Sequence, residues 1–221
     1  MVARGDLGIE TDLADLPNIQ RRIMYASAKW GRRSIVATHL LESMINNPTP
    51  TRAEVTDVAN AIYEGSDAVM LSGETSIGKY PIQCIKMIKK IASKTEHFRT
   101  LGYEKFLQDN SDWQNIAKGA RDLASRVNAD AIVIITRSGQ TANVVSNTKP
   151  FRMPIYAFTN NRDTFHQLSL IGGMQPRFIK SIKNQSSTIS RIKSILNSEK
   201  KAKKSLKFAS PFLIKVLALP V

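Results

Sequence analysis

Cysteine is almost missing from this 221-residue chain: only Cys84 is present, so no internal disulfide can form, and a reducing compartment is expected. Apolar runs are short. None approaches the roughly 20 residues that a membrane-crossing helix needs, and Arg4 and Asp6 interrupt the first apolar residues, which argues against a signal peptide at this start. Acids thin out along the chain, with Glu199 alone after Asp163, and no glycine follows Gly173. Zinc-ligand spacing, a helix-turn-helix pattern and a basic stripe interleaved with aromatics are all lacking. The expectation is a cytoplasmic protein with no membrane partner.

What is present is basic. The net charge is +14, and Lys200, Lys201, Lys203 and Lys204 form a short run. Such charge can mark nucleic-acid binding. Without a recognition motif the run reads better as a solvated helix end that complements the helix dipole, and no nucleic-acid partner is expected. Hydrophobic residues make up 42% and charged residues 23%, enough apolar material for one large or two modest cores.

Strand and helix signals alternate. Met1–Ala3 reads as the end of a strand, followed by a Gly5-Asp6-Leu7-Gly8 turn and a helix near Asp15–Trp30, with Asp15 as cap and Pro17 in the first turn. Leu16, Ile19, Ile23 and Ser27 trace its expected stripe. Ser34–Thr38 is a second strand. Thr51-Arg52-Ala53-Glu54 fits a capping box, with Val55, Val58, Ala59 and Ile62 as the buried face of the helix it opens. Ala68–Leu71 is a third strand, and Tyr80-Pro81 opens a helix to about Lys94. The strands start about 33 residues apart, close to the roughly 31 per unit of a (β/α)8 barrel. A doubly wound sheet gives the same alternation.

Residues 96–112 are polar and read as a linker or helical connection. Beyond them the pattern resumes: helix Ile116–Val127, buried strand Ala131–Ile135, helix Thr141–Thr148, strand Ile155–Thr159, helix Asp163–Leu170, strand Gln175–Ile179 and helix Ser187–Asn197. Phe208–Val221 is apolar and reads as strand.

Several stretches carry a family resemblance: Met1-Val-Ala-Arg-Gly-Asp-Leu-Gly8, Ala37-Thr38, Leu41-Glu-Ser-Met44, Pro50-Thr-Arg-Ala-Glu54 and Met70-Leu-Ser-Gly-Glu-Thr75. In order and spacing the chain resembles pyruvate kinase. The likeness is dense over residues 1–95, thinner through Ile132–Ser138 and Gln167–Leu170, and fades after Ile179. It implies an α/β fold: units six to eight of a TIM (β/α)8 barrel over 1–95, and a separate three-layer α/β regulatory domain over 113–221.

The resemblance further implies phosphoryl transfer from phosphoenolpyruvate to ADP in glycolysis, with Mg2+ (or Mn2+) and K+, in a homo-oligomer, a tetramer in the intact enzyme. Asp6 is then a metal ligand, Ala3, Arg4, Gly5 and Asp6 line the substrate, and Thr38 lies at the enolpyruvate carbon. The types suit that chemistry. A carboxylate beyond a strand's carboxyl end can hold a hard cation. A threonine hydroxyl both donates and accepts, so it can orient substrate or relay a proton.

Other positions stay open between two readings. Ser72 and Glu74 belong near the nucleotide, or Glu74 is a structural ion-pair partner. Arg52 lies near a subunit contact, or is a plain first-turn residue. Thr136, Ser138, Gly139 and Thr141 cradle an effector phosphate, or form an N-cap and turn. His39 stands where most relatives carry glutamine, so no proton transfer is assigned to it, and His166 reads as an ordinary helix residue. Lys204-Ser205-Leu206 stands in place of the family's Lys-Gly-Asp turn. The family's catalytic lysine, second carboxylate ligand, potassium ligands and lid have no counterpart here, which implies a truncated chain inactive alone. The alternative is a non-enzymatic remnant that binds or interacts through its second domain.

Overall fold

In the computed structural model the described residues are 1–180, 185–205 and 215–218. The first unit runs β1 (Val2–Ala3), α1 (Arg4–Glu10), α2 (Leu16–Lys29), β2 (Ile35–Ala37), α3 (Arg52–Tyr63), β3 (Ala68–Leu71), α4 (Gly73–Ser76) and α5 (Pro81–Thr95). The second runs α6 (Asp112–Arg126), β4 (Ile132–Ile135), α7 (Gln140–Asn147), β5 (Ile155–Thr159), α8 (Arg162–Leu168), β6 (Met174–Phe178) and α9 (Gln185–Ser205). A last strand, β7, spans Lys215–Ala218.

β1, β2 and β3 pair in parallel, Val2 opposite Val36 and Val36 opposite Val69. Parallel strands covered by helices are apolar on both faces. Val36, Val69 and Leu71 accordingly pack with Met24 of α2, Val58 and Ile62 of α3, and Cys84 and Ile88 of α5. The capping box that opens α3 forms as read from the sequence: Thr51 Oγ1 accepts from Glu54 N, and Glu54 returns to Thr51 N at 2.7 Å. The same carboxylate accepts from Ser43 N and Ser43 Oγ, which ties the loop after β2 to the start of α3. Gly65 ends that helix at φ +78, a conformation that glycine adopts without a Cβ penalty.

Three local expectations are corrected. Gly5–Gly8 is the body of α1 rather than a turn. Asp15 precedes α2 in helical conformation and makes no capping bond; its neighbour Asp12 instead accepts from Ala14 N. In α2 the fully buried positions are Gln20 and Met24, with the expected stripe half-buried, because Gln20 gives its amide to the buried carboxylate of Glu64 at 2.8 Å.

In the second unit β5 is central, paired in parallel with β4 and β6. Its side chains alternate between two cores. Ile155 and Ala157 meet α6, α7 and α8 through Ala117, Ala142 and Leu168, while Tyr156 and Phe158 meet α9 through Ile192. That makes three layers. The expected burial of Ala131–Ile135 holds on one face only: Val133 and Ile135 are exposed, since β4 is an edge strand and α9 packs over β5.

β7 falls within the 113–221 range but pairs in parallel with β3, Val69 opposite Val216. An unpaired edge strand presents a row of free N–H and C=O groups, so β3 accepts an added strand. The rest of Phe208–Val221 lies outside the described residues, as does Leu206.

The two units meet at Asp67. This carboxylate, 2% exposed, accepts from Ser34 N, from Arg33 and, across the seam, from Lys149 Nζ at 2.8 Å and Gly172 N at 3.2 Å. Arg33 continues across to Ser146 Oγ, Asn143 O and Asn147 Oδ1. The polar connection between the units is docked as well, with Tyr103 and Phe106 against Tyr25 of α2.

Candidate functional site

The carboxyl ends of β1 and β2 deliver Ala3–Asp6 and Thr38 to one place. Parallel register sets this up: Ala3 lies opposite Ala37, so the residues that follow each leave their strands side by side. Gly5 N donates to Thr38 Oγ1 at 2.8 Å, and that hydroxyl donates to Ala37 O. Thr38 has φ +65 and His39 φ +55. A β-branched residue in the left-handed region is costly and persists only where its surroundings enforce it, commonly at functional sites.

Arg4 supplies much of that enforcement. Its Nη1 reaches both oxygens of Asp57 at 2.7 and 2.6 Å, and its Nη2 donates to Thr38 O at 2.6 Å. The guanidinium therefore spans α3 and the loop after β2, which makes Asp57 part of the site. Sequence reasoning missed Asp57, because nothing distinguishes it from other polar positions on α3. Asp6 lies in the first turn of α1 and is exposed, with no hydrogen bond or ion pair among the described residues. The helix dipole favours a carboxylate there, and the carboxylate is free to take a cation. Ala3 is half-buried at the head of the same helix.

Glu74 is 1% exposed. Its two oxygens accept from Leu41 N at 3.0 Å and Ser72 N at 2.8 Å, joining the loop after β2 to the end of β3. Both oxygens are spent on backbone. Arg52 is an exposed first-turn residue of α3, and His39 is exposed 3.9 Å from Glu42.

The other sequence-marked cluster belongs to the second sheet. Thr136 Oγ1 accepts from Gly139 N at 2.9 Å, and Gly139, at φ +85, stands at the head of α7. Ser138 is exposed with its Oγ 3.4 Å from Gln140 N, and Thr141 is half-buried. Among the described residues no cluster of three or more His, Cys, Asp or Glu can hold a metal ion. No helix among them is long and apolar enough to cross a membrane.

Two family models match the chain. The pyruvate kinase barrel domain covers residues 1–85 and the pyruvate kinase alpha/beta domain covers 114–210. A pyruvate kinase from Chlamydia trachomatis serovar D is 41% identical over 185 residues, 80% of this chain and 38% of that protein. One from Methanocaldococcus jannaschii is 43% identical over 176 residues, 79% of this chain and 39% of that protein. The crystal structure of a pyruvate kinase from Cryptosporidium parvum superposes with a TM-score of 0.85 at 32% identity, covering 90% of this chain and 41% of that one. This chain thus spans about two fifths of the length of these relatives.

Proposed function

Because the chain belongs to the pyruvate kinase family, we propose that the carboxyl face of β1–β3 is one wall of a site that moves a phosphoryl group from phosphoenolpyruvate to ADP. The observation that carries this reading is the Gly5 N–Thr38 Oγ1 bond, which holds the start of α1, with Asp6 in its first turn, against the hydroxyl of a residue whose backbone is in the left-handed region. Ala3, Gly5 and Asp6 line the substrate. Arg4, bound to Asp57 and Thr38 O, acts chiefly by fixing that lining. The Thr38 hydroxyl orients the enolpyruvate and relays to its terminal carbon the proton which that carbon takes up once the phosphoryl group has left. Glu74 positions Leu41 and Ser72 and leaves contact with nucleotide to its neighbours.

A magnesium ion fits these residues only in part. Asp6 offers one unengaged carboxylate, and magnesium is commonly held by one or two carboxylates plus substrate oxygens. Bound there, it would neutralise charge on the transferring phosphoryl group. Among the described residues Asp6 belongs to no group of three or more His, Cys, Asp or Glu that could hold a metal ion. Losing one preorganised electrostatic group commonly costs about 10²–10³ in rate. The 221-residue chain alone is therefore expected to give no turnover in a coupled phosphoenolpyruvate–ADP assay. Adding the barrel units of a relative that this stretch does not span is expected to give turnover, and Asp6→Ala is then expected to abolish most of it. Turnover by the chain alone, or an Asp6→Ala protein as active as its parent, would overturn the reading.

A further inference from the structure

A (β/α)8 barrel closes on itself, so a stretch that supplies only some of its strands must be joined on both sides. In the first unit those sides are the outer edges of β1 and β3. The β1 edge carries no further strand among the described residues. The β3 edge is taken. β7 lies against it in a parallel ladder that runs from Ala68 opposite Lys215 to Leu71 opposite Ala218.

β7 resembles a barrel strand in direction but not in origin. Barrel strands are parallel, and each brings a helix that covers the sheet. The helix before β7 is α9, whose Ile192 packs on Tyr156 and Phe158 of the second sheet instead. The barrel-domain match ends at residue 85 and the alpha/beta-domain match at residue 210, so β7 lies in a stretch that neither reaches. Its sequence, Lys215-Val-Leu-Ala218, places a lysine in an otherwise apolar strand, a common means of stopping an edge from pairing further. Beneath it Ala68, Val69 and Leu71 of β3 are buried, and an apolar strand with a bare edge is a template for pairing with another chain.

We propose that β7 is a stand-in strand: it covers the edge of β3 where a barrel strand belongs, and a parallel strand from a polypeptide that carries further barrel units displaces it. A strand that arrives with its own helix buries more apolar surface than one that arrives alone, which sets the direction of the exchange. In place, β7 opposes both self-association and barrel completion. The inference rests on the barrel relationship and not on phosphoryl transfer, and its test reads pairing and association rather than turnover.

The test compares the 221-residue chain with its double variant Val216→Pro, Leu217→Pro. Proline has no N–H, and the N–H groups of neighbouring strand residues point to opposite edges, so one of the two substitutions removes a ladder bond to β3. Amides within Ala68–Leu71 that β2 does not engage are expected to exchange at least about tenfold faster in the variant, with those of Ile155–Thr159 unchanged. Each form is then titrated with a polypeptide carrying the barrel units of the Methanocaldococcus jannaschii relative that this stretch does not span. The variant is expected to bind it at least about tenfold more tightly, because no strand has to leave first. Unchanged exchange in β3 would overturn the proposal, as would equal or weaker binding by the variant, or no binding by either form. Lost protection in Ile155–Thr159 would do so too, since β7 would then hold the whole chain together rather than cover one edge.

Discussion

Asp67 and Lys149, 82 positions apart in sequence, meet at 2.8 Å and join the two units across their seam. The same Asp67 oxygen takes Arg33 at 3.2 Å and the Gly172 amide at 3.2 Å, so one buried carboxylate collects a cation from each side. Removing one partner of a buried pair leaves the other uncompensated and costs about 3–5 kcal/mol. Lys149 and Arg33 each keep about a quarter of their exposure and can be partly rehydrated, so the lower end applies. Asp67→Ala is expected to lower stability by about 3 kcal/mol in urea unfolding and to expose residues 96–112 to limited proteolysis. Lys149→Met, which leaves Arg33 in place, should cost clearly less; an equal cost would mean that Arg33 is no real partner.

The pH dependence follows from the same group. Burial alone would push the Asp67 carboxyl up, but Lys149, Arg33 and the amide of Ser34 outweigh it and hold it below its ordinary 3.8. A carboxyl lowered on folding adds stability that is present above its unfolded value and lost as pH falls through the folded one. Wild-type stability should therefore drop as pH falls below about 4, with a smaller drop in Asp67→Asn. Glu64 runs the other way. Burial raises its carboxyl despite the Gln20 hydrogen bond and nearby Arg21, so its contribution fades as pH rises through its folded value. Glu64→Gln should flatten the profile on that side, as read from unfolding free energies across the pH range.

Glu74 offers a sharper structural test. Truncating it to alanine leaves the Leu41 and Ser72 amides without their acceptor, at about 1–3 kcal/mol for each buried orphan. Glutamine can accept through one oxygen only and turns an N–H toward the other amide. Thermal unfolding should rank wild type above Glu74→Gln and Glu74→Gln at or above Glu74→Ala. A Gln variant as stable as wild type would show that one of the two bonds is idle.

Thr38 combines strain with a bond. Thr38→Val keeps the β-branch at φ +65 and loses the Gly5 N–Oγ1 bond, at about 1 kcal/mol or more. Thr38→Gly loses the same bond but relieves the backbone, worth about 1 kcal/mol in return. Glycine should therefore be tolerated better than valine in thermal unfolding, although both remove the hydroxyl assigned to proton relay. The reverse order would mean that the left-handed conformation is not strained here.

Local signals were enough wherever the structure is decided by neighbours in sequence. The Thr51–Glu54 capping box, the Ala68–Leu71 strand and the Ile155–Thr159 strand stand as the residues announce them, because caps and apolar periodicity act within a few positions. The motif Met1–Gly8 and its partner Ala37-Thr38 were legible as a family pattern, and parallel register then brought Gly5 to Thr38.

The rest needed the third dimension. Gly5–Gly8 reads as a turn by composition, yet it continues as a helix above its strand, with the Gly5 amide taken up by Thr38. Asp57 as the partner of Arg4, Gln20 as that of Glu64, and Glu74 as the acceptor for the Leu41 amide have no sequence signature, because each is defined by a group between 33 and 53 positions away. β7 joins β3, which came more than 140 residues earlier. The chain's own sequence thus determined its elements and its family, through interactions a few residues long. Which carboxylates are free, which are spent on backbone and which bind the two units together was decided only by tertiary packing, since burial and charge pairing arise between segments that sequence order keeps apart.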